Sequence, residues 1–259
     1  MTTLQQNKLQ NIGKRLKTVA EIAAVRLSCE ENAEGLYAVD VGTDHAKLPL
    51  FLLSKGDFCH ITCTDINEGP CRAAEENIRS AGKFYAERTH VVKTDGLTGL
   101  DGIKINRVII AGMGGELIVH ILSDAEFVRR EKEKIGFVLQ PQSKEHILRR
   151  YLCENGYLIT DEKRVEDAGK LYCVISAVYD GMTREYSLLE QYFGKQGLSA
   201  RDELFRKAFL KKYTVLKNNI NARSGKKDAC REDVFLEEEK LFCEMKEYIE
   251  RECPDADLT

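Results

Sequence analysis

Acidic, glycine and amide residues follow five short apolar segments of the chain, and these residue types bind nucleotide-like ligands. In chain order they are Asp40 and Gly42, then Asp65, Ile66 and Asn67, then Asp95 and Gly96, then Gly112, Met113, Gly114 and Gly115, and last Gln140, Pro141 and Gln142. If the apolar segments are parallel strands, ligands bind beyond their carboxyl ends, where these residues would meet. The pattern therefore predicts one binding site at one edge of a sheet.

The turn after the first apolar segment, residues 42–46, reads Gly-Thr-Asp-His-Ala and holds only one glycine. A dinucleotide site needs three glycines there, because backbone amides and a helix N-terminus must approach a pyrophosphate. A carboxylate repels a pyrophosphate, whereas it attracts a cation. S-adenosylmethionine has a sulfonium cation, an amino-acid tail and no phosphate. The turn therefore favours S-adenosylmethionine over a nicotinamide dinucleotide as the cofactor.

The side chains of this turn suit the amino-acid tail of that cofactor. We expect Asp40 to bind the tail ammonium directly or through water, and His45, at a helix start, to donate to the tail carboxylate. Asp44 either lies beside the cationic cofactor or caps the helix that begins at His45. The two roles of Asp44 are compatible with each other.

The acid of the second segment has the spacing of a ribose-binding residue. Asp65 lies 23 residues after Gly42, near the spacing at which an acid accepts hydrogen bonds from both ribose hydroxyls. The alternative role, a helix cap, falls nearer Asn67. Asp95 and Gly96 form either an ordinary turn or the border of the adenine, with Asp95 accepting from the exocyclic amine.

Gly112 and Met113 are predicted to contact the cofactor, whereas Gly114, Gly115 and the segment 140–142 are predicted to form the pocket for the second substrate. Glycines permit close approach of a ligand to the backbone, or serve as plain turn residues. Met113 either packs on the bound ligands or fills the core. The segment 140–142 supplies amide groups and a fixed backbone without an ionisable group, which suits the edge of a heterocycle. No catalytic base is assigned.

Periodicity predicts alternating strands and helices over residues 1–183. Short runs rich in Val, Ile or Cys predict buried parallel strands at residues 36–41, 59–66, 90–95, 107–112 and 136–141. Helix-like segments lie between them, at residues 45–54, 68–82, 115–123 and 144–155. Two extended runs, 157–167 and 170–181, predict a closing antiparallel hairpin. The predicted class is α/β: a Rossmann-like, mostly parallel seven-stranded sheet of the kind associated with S-adenosylmethionine-dependent methyltransferases.

Residues 184–259 are predicted to form a helical, coiled-coil-like domain. Apolar residues recur at helical spacing, with Phe205, Phe209, Leu216 and Ile220 on one helix and Phe235, Phe242 and Ile249 on the next. Two antiparallel helices joined across residues 221–231 follow from this pattern.

The net charge of -3 conceals two oppositely charged segments. Residues 195–231 hold eleven Lys and Arg against three Asp and Glu, whereas residues 232–259 hold three against eleven. Basic side chains also lie near the start of the chain. The predicted contacts to a phosphate backbone are Lys14, Arg15, Lys17, Arg206, Lys207, Lys211 and Lys212. The alternative for the second group is neutralisation by the acidic helix that follows.

Composition limits the class of protein. The chain has 259 residues, 43% of them hydrophobic, which suffices for a sizeable buried core. No run of 18 apolar residues and no secretory signal are readable, so we expect a cytoplasmic protein without membrane association. Nine cysteines, an odd number with no C-x-x-C pair, indicate buried thiols in a reducing compartment. No Cys or His spacing fits zinc, so we expect no metal, and we expect a monomer.

Four motifs together resemble one known family. They are Gly-Thr-Asp-His-Ala-x-Leu-Pro at 42–49, Ala-Gly-Met-Gly-Gly at 111–115, Leu-Gln-Pro-Gln at 139–142 and Gly-Lys-Arg-Leu at 13–16. The combination is similar to the bacterial tRNA (adenine-N1) methyltransferases called TrmK, which methylate the adenine at tRNA position 22. The resemblance implies S-adenosylmethionine as cofactor, tRNA as partner and a C-terminal helical domain. By motif position it assigns cofactor binding to Asp40, Gly42, Asp65, Asp95 and Gly96.

The reaction implied by this resemblance needs no general base. Adenine N1 already carries a lone pair, so methyl transfer needs alignment and desolvation more than proton removal. N1 lies on the Watson–Crick edge, so a paired adenine must first be extruded from its stem. The alternative functions are a methyltransferase acting on another RNA or a small molecule, a nicotinamide oxidoreductase, and a non-catalytic RNA-binding adaptor.

Overall fold

The structure is a computed structural model that describes residues 12–30, 34–223 and 232–252. The chain divides between Arg184 and Glu185 into two compact units. The first unit carries a β-sheet with surrounding helices, and the second unit is helical. In the described part of the chain, no helix is long and apolar enough to cross a membrane.

A seven-stranded sheet forms the centre of the first unit. Its strands are β1 (Leu36–Val41), β2 (Phe58–Asp65), β3 (Thr89–Lys93), β4 (Arg107–Met113), β5 (Gly136–Pro141), β6 (Tyr157–Asp167) and β7 (Lys170–Tyr179). The spatial order is β3-β2-β1-β4-β5-β7-β6. Strands β1 to β5 are parallel, while β7 is antiparallel to both β5 and β6. The predicted mostly parallel sheet and its closing hairpin are therefore confirmed.

The central strands are apolar along nearly their whole length because both faces of the sheet are covered. All six residues of β5 are buried, and in β1 only Tyr37 is partly exposed. Each apolar side chain buried in this way contributes about 1.5–3 kcal/mol to folding. Strands buried on both faces form continuous apolar runs in the sequence, which explains why their predicted bounds fall within two residues of the observed ones.

Helices connect the strands of the first unit. They are α1 (Lys14–Ala24), α2 (Lys47–Lys55), α3 (Glu68–Ala81), α4 (Lys83–Ala86), α5 (Gly115–Asp124), α6 (Glu126–Glu131) and α7 (Glu145–Glu154). The predicted helix start at His45 is wrong. His45 and Ala46 have left-handed backbone angles, φ 59° and 53°, so the helix begins only at Lys47.

Helix α1 is absent from the predicted elements. Its apolar face is buried in the main core and consists of Val19, Ala20, Ile22 and Ala23. At its N-terminus, the Asp167 carboxylate accepts a hydrogen bond from the backbone N–H of Arg15 over 3.1 Å. At its C-terminus, buried Arg107 donates to the carbonyls of Ala23 and Val25. Helix α1 is therefore anchored at both ends by side chains of distant strands.

The second unit contains four helices among its described residues. They are α8 (Leu188–Phe193), α9 (Lys195–Ala200), α10 (Glu203–Arg223) and α11 (Glu232–Glu252). The rings of Phe205, early in α10, and Tyr248, late in α11, lie 6.3 Å apart. Asn219, late in α10, donates to Glu238, early in α11. Helices α10 and α11 are therefore antiparallel, as predicted; residues 224–231 of the predicted connection lie outside the described residues.

The buried face of α11 differs from the predicted one. The buried positions are Leu241, Met245 and Tyr248. The predicted positions, Phe235, Phe242 and Ile249, are only half-buried. Helix α11 contacts α8 as well as α10: Glu244 accepts from the backbone N–H of Leu189, and Glu237 accepts from the Tyr192 hydroxyl. This second partner centres the buried face between two helices, which a repeat of seven residues does not indicate.

Candidate active site

The candidate site lies at the carboxyl ends of β1 and β4, the two strands from which the sheet extends in opposite directions. In doubly wound sheets such a reversal leaves a crevice that binds ligands. Strands β1, β2, β4 and β5 are parallel, so their carboxyl ends share this edge. The structure therefore brings the predicted residues of these strands together, with Asp95 and Gly96 in the loop after β3.

Gly42 forms the turn at the end of β1. Its backbone is left-handed, with φ 73°, and its N–H donates to the Thr64 carbonyl of β2 over 2.8 Å. A side chain at this position would collide with the terminal methyl of Met113 from β4. The left-handed backbone therefore favours glycine at this position, and the flexible end of Met113 lies against it. The ends of β1 and β4 touch at this point.

Asp40 is a buried carboxylate beneath this turn, only 5% exposed. The Thr43 hydroxyl donates a hydrogen bond to its Oδ2. Burial raises the pKa of the Asp40 carboxyl to about 7, and the hydrogen bond from Thr43 opposes that rise. Asp40 therefore titrates near neutral pH. Sequence analysis does not identify Thr43. Its position three residues after Asp40 in the same turn is the feature that could have indicated this contact.

His45 and Asp44 form an exposed pair beside the turn. His45 Nε2 lies 3.2 Å from Asp44 Oδ1. The prediction that Asp44 caps a helix is wrong, because the short 3-10 turn here has no side-chain cap and α2 follows Ala46. The His45 carbonyl accepts a hydrogen bond from the Asn77 amide over 3.1 Å. Two successive left-handed residues, His45 and Ala46, hold strain of the kind found at ligand-binding turns.

The end of β2 combines a carboxylate with an exposed apolar side chain. Asp65 Oδ1 accepts a hydrogen bond from the backbone N–H of Asn67 over 2.8 Å. A carboxylate accepts about four hydrogen bonds, so capacity for ribose hydroxyls remains. Ile66 is 56% exposed and offers an apolar surface beside this carboxylate. Asn67 precedes α3 without a capping bond from its side chain, so the predicted cap is not formed.

The loop after β3 is tied to the end of β2. Gly96 has φ 55°, and its carbonyl accepts a hydrogen bond from the Thr64 hydroxyl over 3.0 Å. Asp95 is exposed next to it, and its carbonyl accepts from the backbone N–H of Thr98. Asp95 and Gly96 therefore adjoin the same edge as Asp65.

Gln140, at the end of β5, is fully buried, and its amide is occupied within the protein. Its Oε1 accepts hydrogen bonds from the Arg15 guanidinium and from the backbone N–H of Gly112, the latter over 3.1 Å. Its Nε2 donates to the Pro141 carbonyl over 2.7 Å. These contacts correct the prediction that Gln140 binds the base, and Pro141 is likewise buried. The exposed amide of this segment belongs to Gln142.

The residues of segment 112–115 have different structural roles. Gly112 has φ 87°, and the Gln142 amide nitrogen lies 3.6 Å from where its Cβ would be. Gly114 has ordinary backbone angles, and a Cβ there would lie 3.5 Å from the Ser143 hydroxyl, an ordinary contact. Gly115 donates to the Ser143 carbonyl over 2.8 Å, and a side chain there would collide with the backbone of Lys144. Gly115 is thus a packing residue, which corrects its predicted place in the base pocket.

Arg15 belongs to the site, although its sequence position suggested a surface contact. Its guanidinium carbon lies 5.6 Å from the centre of the Tyr172 ring in β7. Lys14 and Lys17, predicted with it as contacts to a phosphate backbone, are exposed. The structure therefore separates Arg15 from these two lysines. No sequence signal indicates its contact with Gln140, which is 125 residues away.

The four basic residues predicted on α10 also separate. Arg206, Lys207 and Lys211 are exposed. Lys212 is half-buried, with Nζ 4.7 Å from the centre of the Tyr192 ring. Burial lowers the pKa of Lys212, while Glu238 and Glu237 act in the opposite direction. For Lys212 the alternative prediction, neutralisation inside the helical unit, agrees with the structure.

The family of methyltransferase domains matches residues 12–175. A tRNA (adenine(22)-N(1))-methyltransferase of Bacillus subtilis (strain 168) is 30% identical over 210 residues, 78% of this chain and 80% of the relative. A Streptococcus pneumoniae structure in complex with S-adenosyl-L-methionine superimposes with TM-score 0.75 at 26% identity, covering 92% of this chain and 100% of that one. Bacillus subtilis TrmK superimposes with TM-score 0.78 at 24% identity, covering 92% and 99%, and shows the same fold.

The matched range contains the elements that build the candidate site. It begins before α1 and ends within β7, so it includes Arg15, the Gly42 turn and Gln140. The Bacillus subtilis relative is matched over most of its own length as well. The chain therefore belongs to the methyltransferase-domain family and, within it, to the bacterial tRNA (adenine-N1) methyltransferases called TrmK.

Proposed function

We propose that this chain transfers a methyl group from S-adenosylmethionine to N1 of the adenine at position 22 of tRNA. The observation that carries the proposal is the turn at Gly42, where the sheet order reverses and where Asp40 and Asp65 flank a single left-handed glycine. Two carboxylates at this turn repel a pyrophosphate and attract a cationic cofactor. The activity in the name of the Bacillus subtilis relative supplies the proposed substrate.

The residues around this turn fit S-adenosylmethionine. Asp40 would hold the ammonium of the amino-acid tail, and Asp65 would accept from the ribose hydroxyls. Ile66 would lie against the apolar face of the nucleoside, and Asp95 would accept from the adenine amine. When bound, the cofactor supplies an activated methyl group. His45 adds an exposed donor for the tail carboxylate.

The other half of the site suits an extruded base. Gly112 and Gly114 leave backbone surface without side chains, and Met113 provides an apolar contact between the two ligands. Gln142 is exposed and can donate to or accept from the edge of an adenine. N1 reacts through its own lone pair, so these residues need only hold the base and exclude water. No side chain is assigned as a general base.

The proposed tRNA surface consists of exposed cations, because phosphate contacts supply most of the affinity for nucleic acid. On α1 these are Lys14 and Lys17, and on α10 they are Arg206, Lys207 and Lys211. We propose a monomer that acts on tRNA in the cytoplasm without a metal. Within the described residues, no group of three or more His, Cys, Asp or Glu could hold a metal ion.

Mass spectrometry of tRNA nucleosides tests this function. The protein is incubated with S-adenosylmethionine and two tRNA transcripts that differ only by adenine or guanine at position 22. We expect 1-methyladenosine in the adenine transcript alone. Methylation of both transcripts would move the target to another position, and methylation of neither would overturn the proposed function.

A further inference from the structure

Arg15 is held in place by three separate groups within the first unit. Its backbone N–H donates to Asp167 over 3.1 Å, and its guanidinium lies 5.6 Å from the centre of the Tyr172 ring. The guanidinium also donates to Oε1 of Gln140. Asp167 lies on β6 and Tyr172 on β7, near the tip of the β6–β7 hairpin. The hairpin therefore fixes the direction in which Arg15 reaches the end of β5.

The contact with Arg15 determines which way the Gln140 amide faces. A primary amide has an acceptor oxygen and a donor nitrogen, and rotation by about 180° exchanges them. A guanidinium has only donors, so it favours the state in which Oε1 faces both Arg15 and the Gly112 N–H. The opposite state would set the amide N–H groups of Gln140 against the donors of Arg15 and Gly112. Nε2, in the observed state, donates to Pro141.

The orientation of Gln140 in turn fixes the end of β4. Gly112 is left-handed, and the pairing of β4 with β5 is irregular between Ala111 and Met113. The hydrogen bond from Gly112 to Gln140 is 3.1 Å long. Met113 follows directly, and its terminal methyl lies against Gly42. A displacement at Gln140 would therefore reach both the surface proposed for the base and the turn proposed for the cofactor.

We propose that Arg15 is a positioning residue for methyl transfer, which acts through Gln140 and the Gly112 turn instead of contacting tRNA phosphate. The inference rests on the proposed function, because the base and the methyl donor are assigned to the two sides of Met113. Replacing the guanidinium by an ammonium keeps the charge, the fold and the cofactor residues in place but loosens the surface on which the adenine lies. A misplacement of about 1 Å at a reacting group lowers the rate about a hundredfold.

The test uses Arg15→Lys, which keeps the positive charge and removes the planar fork of donors. We expect kcat for 1-methyladenosine formation to fall about fiftyfold or more, while KM for tRNA, the salt dependence of tRNA binding and S-adenosylmethionine affinity change less than threefold. The matched control is Arg130→Lys, an exposed arginine paired with Asp101 and Glu126, and its kcat should equal that of the wild type. A phosphate contact predicts the reverse pattern for Arg15→Lys, with altered KM and retained kcat.

A double-mutant cycle tests whether Arg15 acts through Gln140. Gln140→Met removes the amide at similar volume, and in the double variant with Arg15→Lys the loss of kcat should equal that of the worse single variant, because both changes act on one contact. If the losses of kcat in the two single variants multiply in the double variant, Arg15 acts independently of Gln140. Absence of 1-methyladenosine from wild-type reactions would overturn the proposed function and this role together. Wild-type kcat in Arg15→Lys would overturn only the role of Arg15.

Discussion

The two sides of the candidate site are held together over different distances along the chain. At the ends of β1 and β2, Thr43 bonds Asp40 three residues away, and Asn67 bonds Asp65 two residues away. At the ends of β4 and β5, Arg15 bonds Gln140 across 125 residues. The first side is built by its own turns, while the second depends on α1 and on the β6–β7 hairpin.

This difference implies different responses to mutation. On the β1–β2 side, Asp44, His45 and Ile66 are exposed and have capacity for a ligand, so a change there should alter binding and leave the fold intact. On the β4–β5 side, Gln140 and Gly115 are buried and their polar groups bond within the protein. A change there should disturb the backbone and only then the chemistry.

Gly115→Ala should give the largest effect. The new methyl group would collide with the backbone of Lys144, which has no flexible end to move away. We expect a loss of about 1–3 kcal/mol of stability, the scale for overpacking, together with loss of most methylation activity. Gly114→Ala is the control for stability alone, since its Cβ would lie 3.5 Å from the Ser143 hydroxyl at ordinary contact. Equal melting temperatures for the two variants would contradict the assigned packing role.

Asp65→Asn should weaken cofactor binding without disturbing the fold. Asparagine still accepts from the Asn67 N–H, so the turn persists while the charge that receives the ribose hydroxyls is lost. We expect a loss of about 1.5–3 kcal/mol, or roughly 10- to 150-fold in affinity, measured by titration calorimetry with S-adenosylmethionine. Asp57→Asn, before β2 at the opposite edge of the sheet, is the control. Unchanged affinity in folded Asp65→Asn would remove Asp65 from the site.

The side built by local turns is also the side that sequence reasoning predicted well. Strand ends follow from apolar runs, and the residues predicted to bind the cofactor come directly after those runs, so Asp40, Gly42 and Asp65 lie at one edge of the sheet. The conformation inside the Gly42 turn was not predictable, because left-handed angles at His45 and Ala46 contradict the preferences of these residue types.

The other side could not be predicted for a physical reason. A glutamine at the end of a strand has the same local sequence whether its amide faces a ligand or an arginine from a distant part of the chain. The sequence predicts that Gln140 faces the base, because nothing near it in the chain indicates Arg15. Likewise, Gly115 resembles Gly114 in sequence, and only the path of the loop at Lys144 distinguishes them. Contacts between distant segments decide both cases.

The titration of Asp40 predicts a pH dependence on the β1 side. The pKa in the folded protein, about 7, exceeds the ordinary value of 3.8, so protonated Asp40 adds stability below about pH 4 and this contribution is lost as the pH rises to about 7. An ammonium partner needs the carboxylate. S-adenosylmethionine affinity should therefore rise with pH toward about 7, by up to about tenfold per unit, and then level off.

Calorimetry between about pH 5.5 and 8.5, in two buffers of different ionisation enthalpy, measures this effect as proton release on binding. Asp40→Asn should bind more weakly at high pH and lose the dependence. Asp44→Asn should retain it, because the Asp44 carboxylate is exposed and lies beside His45. Affinity that does not vary with pH in the wild type would mean that Asp40 does not receive the ammonium.

The smallest effect concerns two adjacent lysines of α10, which extend the comparison to the helical unit. Lys211 is exposed, whereas Lys212 lies over the Tyr192 ring near Glu237 and Glu238. If the exposed cations bind tRNA, log affinity for tRNA should fall less steeply with log salt in Lys211→Gln. The magnitude of that slope should decrease by nearly one. Lys212→Gln should leave that slope unchanged and lower the melting temperature by a few degrees, because the acidic pair loses its cation. An unchanged slope in Lys211→Gln would exclude α10 from the tRNA surface and favour Lys14 and Lys17 on α1.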